Sequence, residues 1–169
     1  AVFYVKDMTH PYHRAKVDLN AQQFNITGGV VECQNPSMAC VICEGGPKAI
    51  KKYKRLMTVR MKWGGPNDVD SDDDDDEDEP VTQKFNPNNS CALVWEGMVV
   101  KRLFNGFVFQ SCETPEQARK VLKSKGVAHY WDQVAALASG HSSKLGLRIM
   151  DDSDNENPYE QAAGDDYGD

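Results

Sequence analysis

No stretch of this 169-residue chain approaches the roughly 18 consecutive apolar residues that a membrane-spanning helix requires, and no membrane partner is expected. The patterns that open common enzyme sites are missing too: GxSxG, the P-loop, HExxH and GxGxxG do not occur. The four histidines, His10, His13, His129 and His141, show no ligand or triad spacing, so no catalytic residue, metal site or cofactor is expected. Basic residues are absent from two whole segments. Asp68 to Glu79 carries 10 carboxylates and Asp151 to Asp169 carries 8, and neither segment holds a Lys or Arg. The formal net charge of -7 therefore misdescribes the rest of the chain, which keeps all 19 basic residues against 8 acidic ones, a net charge of +11. A strongly basic body carries two acidic appendages, and a polyanionic partner stays open.

Five cysteines are an odd number, scattered over apolar strand-like sequence, and no charged-then-apolar leader precedes them. This points to a reducing compartment rather than a disulfide framework. Cys40 and Cys43 have the CxxC spacing, but strand residues three apart face opposite sides, so all five are read as ordinary thiols. The chain opens inside a strand-like run, Val2-Phe3-Tyr4-Val5, without an initiator methionine, and reads as a piece of a longer protein.

Val2 to Val5 is expected as a strand. In the segment up to Asn25, Val17, Ala21 and Phe24 fit a helix, while Ala15, Val17, Leu19 and Ala21 alternate as a strand would; the helix is favoured. Val30-Val31-Glu32-Cys33 and Ala39 to Glu44, joined through Asn35-Pro36-Ser37, read as a hairpin. A helix follows from Pro47, with proline suited to the first helical position. Val59-Arg60-Met61-Lys62-Trp63 alternates apolar and basic residues and is expected as a half-buried strand. The order β, α, β, β, α, β is the split βαβ, ferredoxin-like arrangement. Residues 64–90 read as a disordered acidic insert. Beyond it, Cys91 to Glu96 and Phe107 to Gln110 are expected as strands of an added β-hairpin, turned at Asn105-Gly106. Thr114-Pro115-Glu116-Gln117 is a capping box opening a helix to Lys125, and a second helix spans about Ala128 to Ala138. The fold expected is thus an α+β, ferredoxin-like sandwich over 1–138 with C-terminal helices, followed by an acidic tail over 139–169.

The helix from Pro47 carries the chemistry. Lys48, Lys51, Lys52 and Arg55 recur at i, i+3, i+4 and i+7 on one face, while Ala49, Ile50, Tyr53, Leu56 and Met57 occupy the other. Lys54 adds charge to the helix, Arg60 and Lys62 extend it beyond, and Trp63 and Tyr4 offer aromatic rings for base stacking. Glu44-Gly45-Gly46-Pro47-Lys48 leaves two readings open: backbone amides presented to a phosphate, or a turn that needs flexible backbone.

Several of these residues also fit a known family. Cys43-Glu44-Gly45-Gly46-Pro47-Lys48-Ala49 with Lys52 to Met57 resembles the C-terminal domain of pre-mRNA-processing factor three, a splicing factor of the U4/U6 small nuclear ribonucleoprotein. Asn20-Ala21-Gln22-Gln23 with Thr27-Gly28, Arg60 to Trp63, Leu93 to Gly97 and His129 to Asp132 resemble further signatures in the family's order. The resemblance covers Val2 to Leu137, acidic insert included, and leaves the tail after Gly140 unmatched. It implies a non-enzymatic, nuclear, ferredoxin-like domain that binds U4/U6 small nuclear RNA near the junction of duplex and single strand, among the other proteins of the U4/U6.U5 tri-snRNP. Phosphate contacts are then expected from Lys48, Lys51, Lys52, Lys54, Arg55, Arg60 and Lys62. The rival from another class is a protein-interaction module in the spliceosome without RNA contact, its basic helix meeting an acidic partner.

Overall fold

A computed structural model describes residues 1–65 and 83–140. The fold is α+β: a mixed five-stranded sheet with two helices on each face. Strands β1 (Val2–Val5), β2 (Thr27–Cys33), β3 (Met38–Glu44), β4 (Cys91–Trp95) and β5 (Phe107–Cys112) lie in the order β4-β1-β3-β2-β5. All neighbours pair antiparallel except β2 and β5, which run parallel. Helices α1 (Pro11–Gln23) and α2 (Pro47–Arg55) cover one face, and α3 (Pro115–Lys123) and α4 (Ala128–Ala138) cover the other.

Strand β3 shows why the sheet has two covered faces. All seven of its residues are buried, as a strand between two helical layers requires. Ala39, Val41 and Cys43 join the core under α1 and α2, while Met38, Cys40 and Ile42 join the core under α3 and α4. Cys40 and Cys43 thus face opposite layers, and burial pushes both thiols well above the usual range.

The helix favoured for the segment up to Asn25 forms over Pro11–Gln23, with His13, Val17 and Ala21 as its buried stripe and the His10 side chain capping its first turn. The hairpin through Asn35-Pro36-Ser37 and the capping box at Thr114, which accepts from the Gln117 amide, are also observed. Among the described residues no helix is long and apolar enough to cross a membrane.

Three expectations are corrected. The strand expected at Val59 to Trp63 is absent: α2 runs on into a π-helical turn over Leu56–Arg60, closed by the Met61 amide donating to the Leu56 carbonyl at 2.9 Å. The alternating pattern misleads because only Met61 and Trp63 are buried, whereas Val59 is 69% exposed. Beside β1, the place of a fourth strand is taken by β4, from beyond the insert.

The added hairpin does not form either, since β4 and β5 occupy opposite edges of the sheet. Residues 96–106 cross its end, and the Gly28 amide donates to the Gly106 carbonyl to start the β2–β5 pairing.

Finally, the disorder expected for 64–90 fails at its far end. Phe85 stacks on the His10 ring with centroids 3.9 Å apart, and Asn89 exchanges two hydrogen bonds with the Asp7 backbone at 2.8 and 2.7 Å. Gly64 passes so close to Pro87 that a Cβ would sit 2.8 Å from its carbonyl oxygen, so the two stems of the insert meet. The acidic run at 68–79 and the tail at 141–169 lie outside the described residues.

Two side chains make this packing testable. The Tyr53 hydroxyl is fully buried and donates to the Val17 carbonyl at 2.8 Å, tying α2 to α1. Tyr53→Phe removes that bond, while the carbonyl keeps its partner within α1, and is expected to lower the unfolding free energy in a urea titration by about 0.5–1.5 kcal/mol. His13 is fully buried against Trp63, Phe85 and His10, and burial pushes its imidazole below the usual range. The unfolded chain therefore takes up the proton first. His13 contributes full stability above its unfolded pKa of about 6.5, and that contribution is lost as pH falls through the depressed folded value. The acid-side decline in denaturation midpoint between about pH 7 and about pH 5 should be shallower in His13→Phe than in the wild type.

Candidate nucleic-acid interface

Helix α2 starts where β3 ends, and the turn between them settles the role of Glu44. Its buried carboxylate accepts from the Leu103 amide at 2.9 Å and the Phe104 amide at 3.2 Å, anchoring the 96–106 crossing. Gly46 caps α2 without a side-chain bond, and Pro47 sets the first helical turn.

Ile50 and Tyr53 bury the inner side of α2, which leaves Lys48, Lys51, Lys52 and Arg55 exposed together on the outer side. Arg60 is exposed on the π-helical turn, and Lys62 just beyond it. Among the described residues Lys48, Lys51, Lys52, Arg55 and Arg60 have no carboxylate partner. The Lys52 ammonium lies 5.8 Å from the centre of the Phe24 ring, a weak contact that leaves the charge available. Lys54 is half-buried and points elsewhere, pairing with Glu96 at 2.8 Å.

The two aromatic candidates are not brought to this face. Trp63 is only 6% exposed, and its indole N–H donates to the Met57 carbonyl at 2.8 Å, so it packs in the core instead of offering a stacking surface. Tyr4 is half-buried on the opposite side of the sheet, against the core under α3 and α4, where burial raises its hydroxyl pKa. Helices likewise cover both faces of the sheet at its central strand β3, which offers no platform for splayed bases.

Two features escaped the sequence. One is the anchoring role of Glu44, which no local pattern signals because its partners lie about 60 residues away. The other is the crossing itself, whose Met98-Val99-Val100-Lys101-Arg102 run reads locally as a short connection. Among the described residues no group of three or more His, Cys, Asp or Glu side chains could hold a metal ion.

Fold and site together define an α+β domain whose distinguishing surface is a helix with a cationic face that has no carboxylate partner among the described residues. The chain belongs to the family of small nuclear ribonucleoprotein Prp3 C-terminal domains, whose family model matches residues 1–134. That family is one of ribonucleoprotein components of the splicing machinery, not of enzymes. The U4/U5/U6 small nuclear ribonucleoprotein prp3 of Schizosaccharomyces pombe is 38% identical over 133 residues, covering 77% of this chain and 24% of that protein. Protein RDM16 of Arabidopsis thaliana is 36% identical over 132 residues, covering 78% of this chain and 16% of that protein. The chain therefore spans about a quarter or less of the length of these relatives. A solved bacterial light-regulated adenylyl cyclase superposes over 83% of this chain and 34% of its own at a TM-score of 0.40 and 17% identity, too distant to bear on fold or function.

Proposed function

We propose that this domain is a non-catalytic RNA-binding scaffold of a nuclear splicing factor. Its target is U4/U6 small nuclear RNA near the junction of duplex and single strand, within the U4/U6.U5 tri-snRNP. The observation that carries this reading is the α2 face, where four cations project together without carboxylate partners among the described residues. Arg60 and Lys62 prolong it, giving a positive track suited to successive phosphates. Lys54 contributes through its bond to Glu96, which holds the neighbouring crossing in place. Family membership supports the same reading, as does the name of the fission-yeast relative. A ferredoxin-like ancestry is part of the proposal: β4-β1-β3-β2 is all antiparallel, with α1 and α2 on one face, as a split βαβ unit requires, and β5 is an addition.

The test is charge reversal on the exposed face. Lys51→Glu with Lys52→Glu should weaken binding of a U4/U6 duplex with a single-stranded extension by tenfold or more. The slope of log affinity against log salt should become shallower by about 1 to 2, with the melting temperature unchanged. Unaltered affinity and slope, together with lost assembly into the particle, would assign the helix to a protein partner.

A further inference from the structure

The crossing from β4 to β5 is a finger with an anchored base and an apolar tip. At its start the Glu96 carboxylate pairs with Lys54 of α2 at 2.8 Å. Gly97 lies flat against the Trp95 indole, where a Cβ would come within 2.4 Å of the ring. At its end Arg102 donates to the Asn25 carbonyl at 2.9 Å, the Leu103 and Phe104 amides donate to Glu44, and the Phe104 ring is buried. Between these anchors Met98 is 99% exposed and Val100 is fully exposed, with Val99 and Leu103 less so. Lys101 and Arg102 flank them, and no acidic residue falls between Gly97 and Phe104.

Among the described residues nothing packs over the aliphatic side chains at this tip. A contiguous exposed apolar group on a well-anchored base marks a contact with something else. Both ends of the finger are tied to the cationic helix, one through Glu44 just before its first turn and the other through Lys54 within it. A strand whose phosphates follow α2 therefore passes the finger. Protruding aliphatic side chains such as methionine wedge against or between bases, which lose stacking partners at the end of a duplex. The flanking cations match the adjoining phosphates.

We propose that Met98 and Val100 form a nucleobase-contact site for an RNA bound on α2, taking the first single-stranded bases beyond the end of its duplex. This rests on the RNA-binding reading above. It assigns base contact to the finger and phosphate contact to the helix.

The experiment compares the chain with its Met98→Ser/Val100→Ser variant on two RNAs: a hairpin with a single-stranded 3′ extension, and the same hairpin blunt-ended. Both positions are solvent-exposed, so the melting temperature should be unchanged. Affinity for the extended RNA should drop about tenfold, while affinity for the blunt hairpin stays within about twofold and the salt slope is kept. Equal wild-type affinity for both RNAs in the variant, or an equal loss on both, overturns the base-contact assignment. If the wild type binds neither RNA, the RNA-binding reading fails and the inference with it. If Lys51→Glu/Lys52→Glu abolishes binding while the finger variant binds like wild type, the inference alone fails. A finger variant that keeps both affinities but no longer enters the particle in nuclear extract transfers the tip to a protein partner.

Discussion

The carboxylate of Glu44 sits at the end of the central strand, between the two surfaces that define this domain. Its backbone ends β3 and leads within three residues into the cationic helix, while its oxygens accept from two amides of the crossing that reaches β5. A buried carboxylate without partners would be destabilising by several kcal/mol, on the order expected for an unpaired buried charge. Two backbone donors in good geometry offset that cost and fix where the chain re-enters the sheet. The parallel β2–β5 pairing, the seating of Phe104 and the position of the finger beside α2 all follow from that placement.

The second constraint is that helices cover both faces of the central strands. Strand β3 is buried throughout and the two cores are separate, so the middle of the sheet offers no flat surface to a base. The two proposed contact surfaces accordingly lie off the central sheet. The cationic helix offers an outer helix face and the finger a loop at the sheet end, tied together at both ends of the crossing.

Much of this was legible because it is local. The hairpin at Asn35-Pro36, the capped helix at Thr114 and the cationic face of α2 each declare themselves within a dozen residues, and the structure has them. What misled was local pattern overridden by distant packing. Val59 to Trp63 alternates like a strand, yet Trp63 is held by the Met57 carbonyl and by the His13 ring, whose centroid lies 4.9 Å away, so the helix is drawn out into a π turn instead. Asn105-Gly106 resembles a hairpin turn, yet β5 pairs with β2 because Glu44 and the Gly106 carbonyl guide it to the far edge. The same distance hides the finger: its sequence is an unremarkable connection until both anchors are in place.

The arrangement of charge on α2 is the strongest argument that this face is built for a ligand. Lys48 with Lys52, and Lys51 with Arg55, are like-charged pairs one turn apart, each destabilising an isolated helix by roughly 0.2–0.5 kcal/mol. Lys48 also lies in a first turn that holds no acidic residue, against the sign that the helix dipole favours. A helix selected only to fold would carry glutamates there. The body has few acids to lend, and four of them are engaged elsewhere: Glu32 with Arg14 and Ser111, Glu44 with backbone amides, Glu96 with Lys54, and Asp132 with Arg119. Burial of Ile50 and of Tyr53 with its hydroxyl bond to α1 holds the helix down in spite of the repulsion. The repulsion is relieved when an anion lies along the face. A helix stabilised from beneath and, among the described residues, left unneutralised above would gain stability from a polyphosphate partner such as the one proposed.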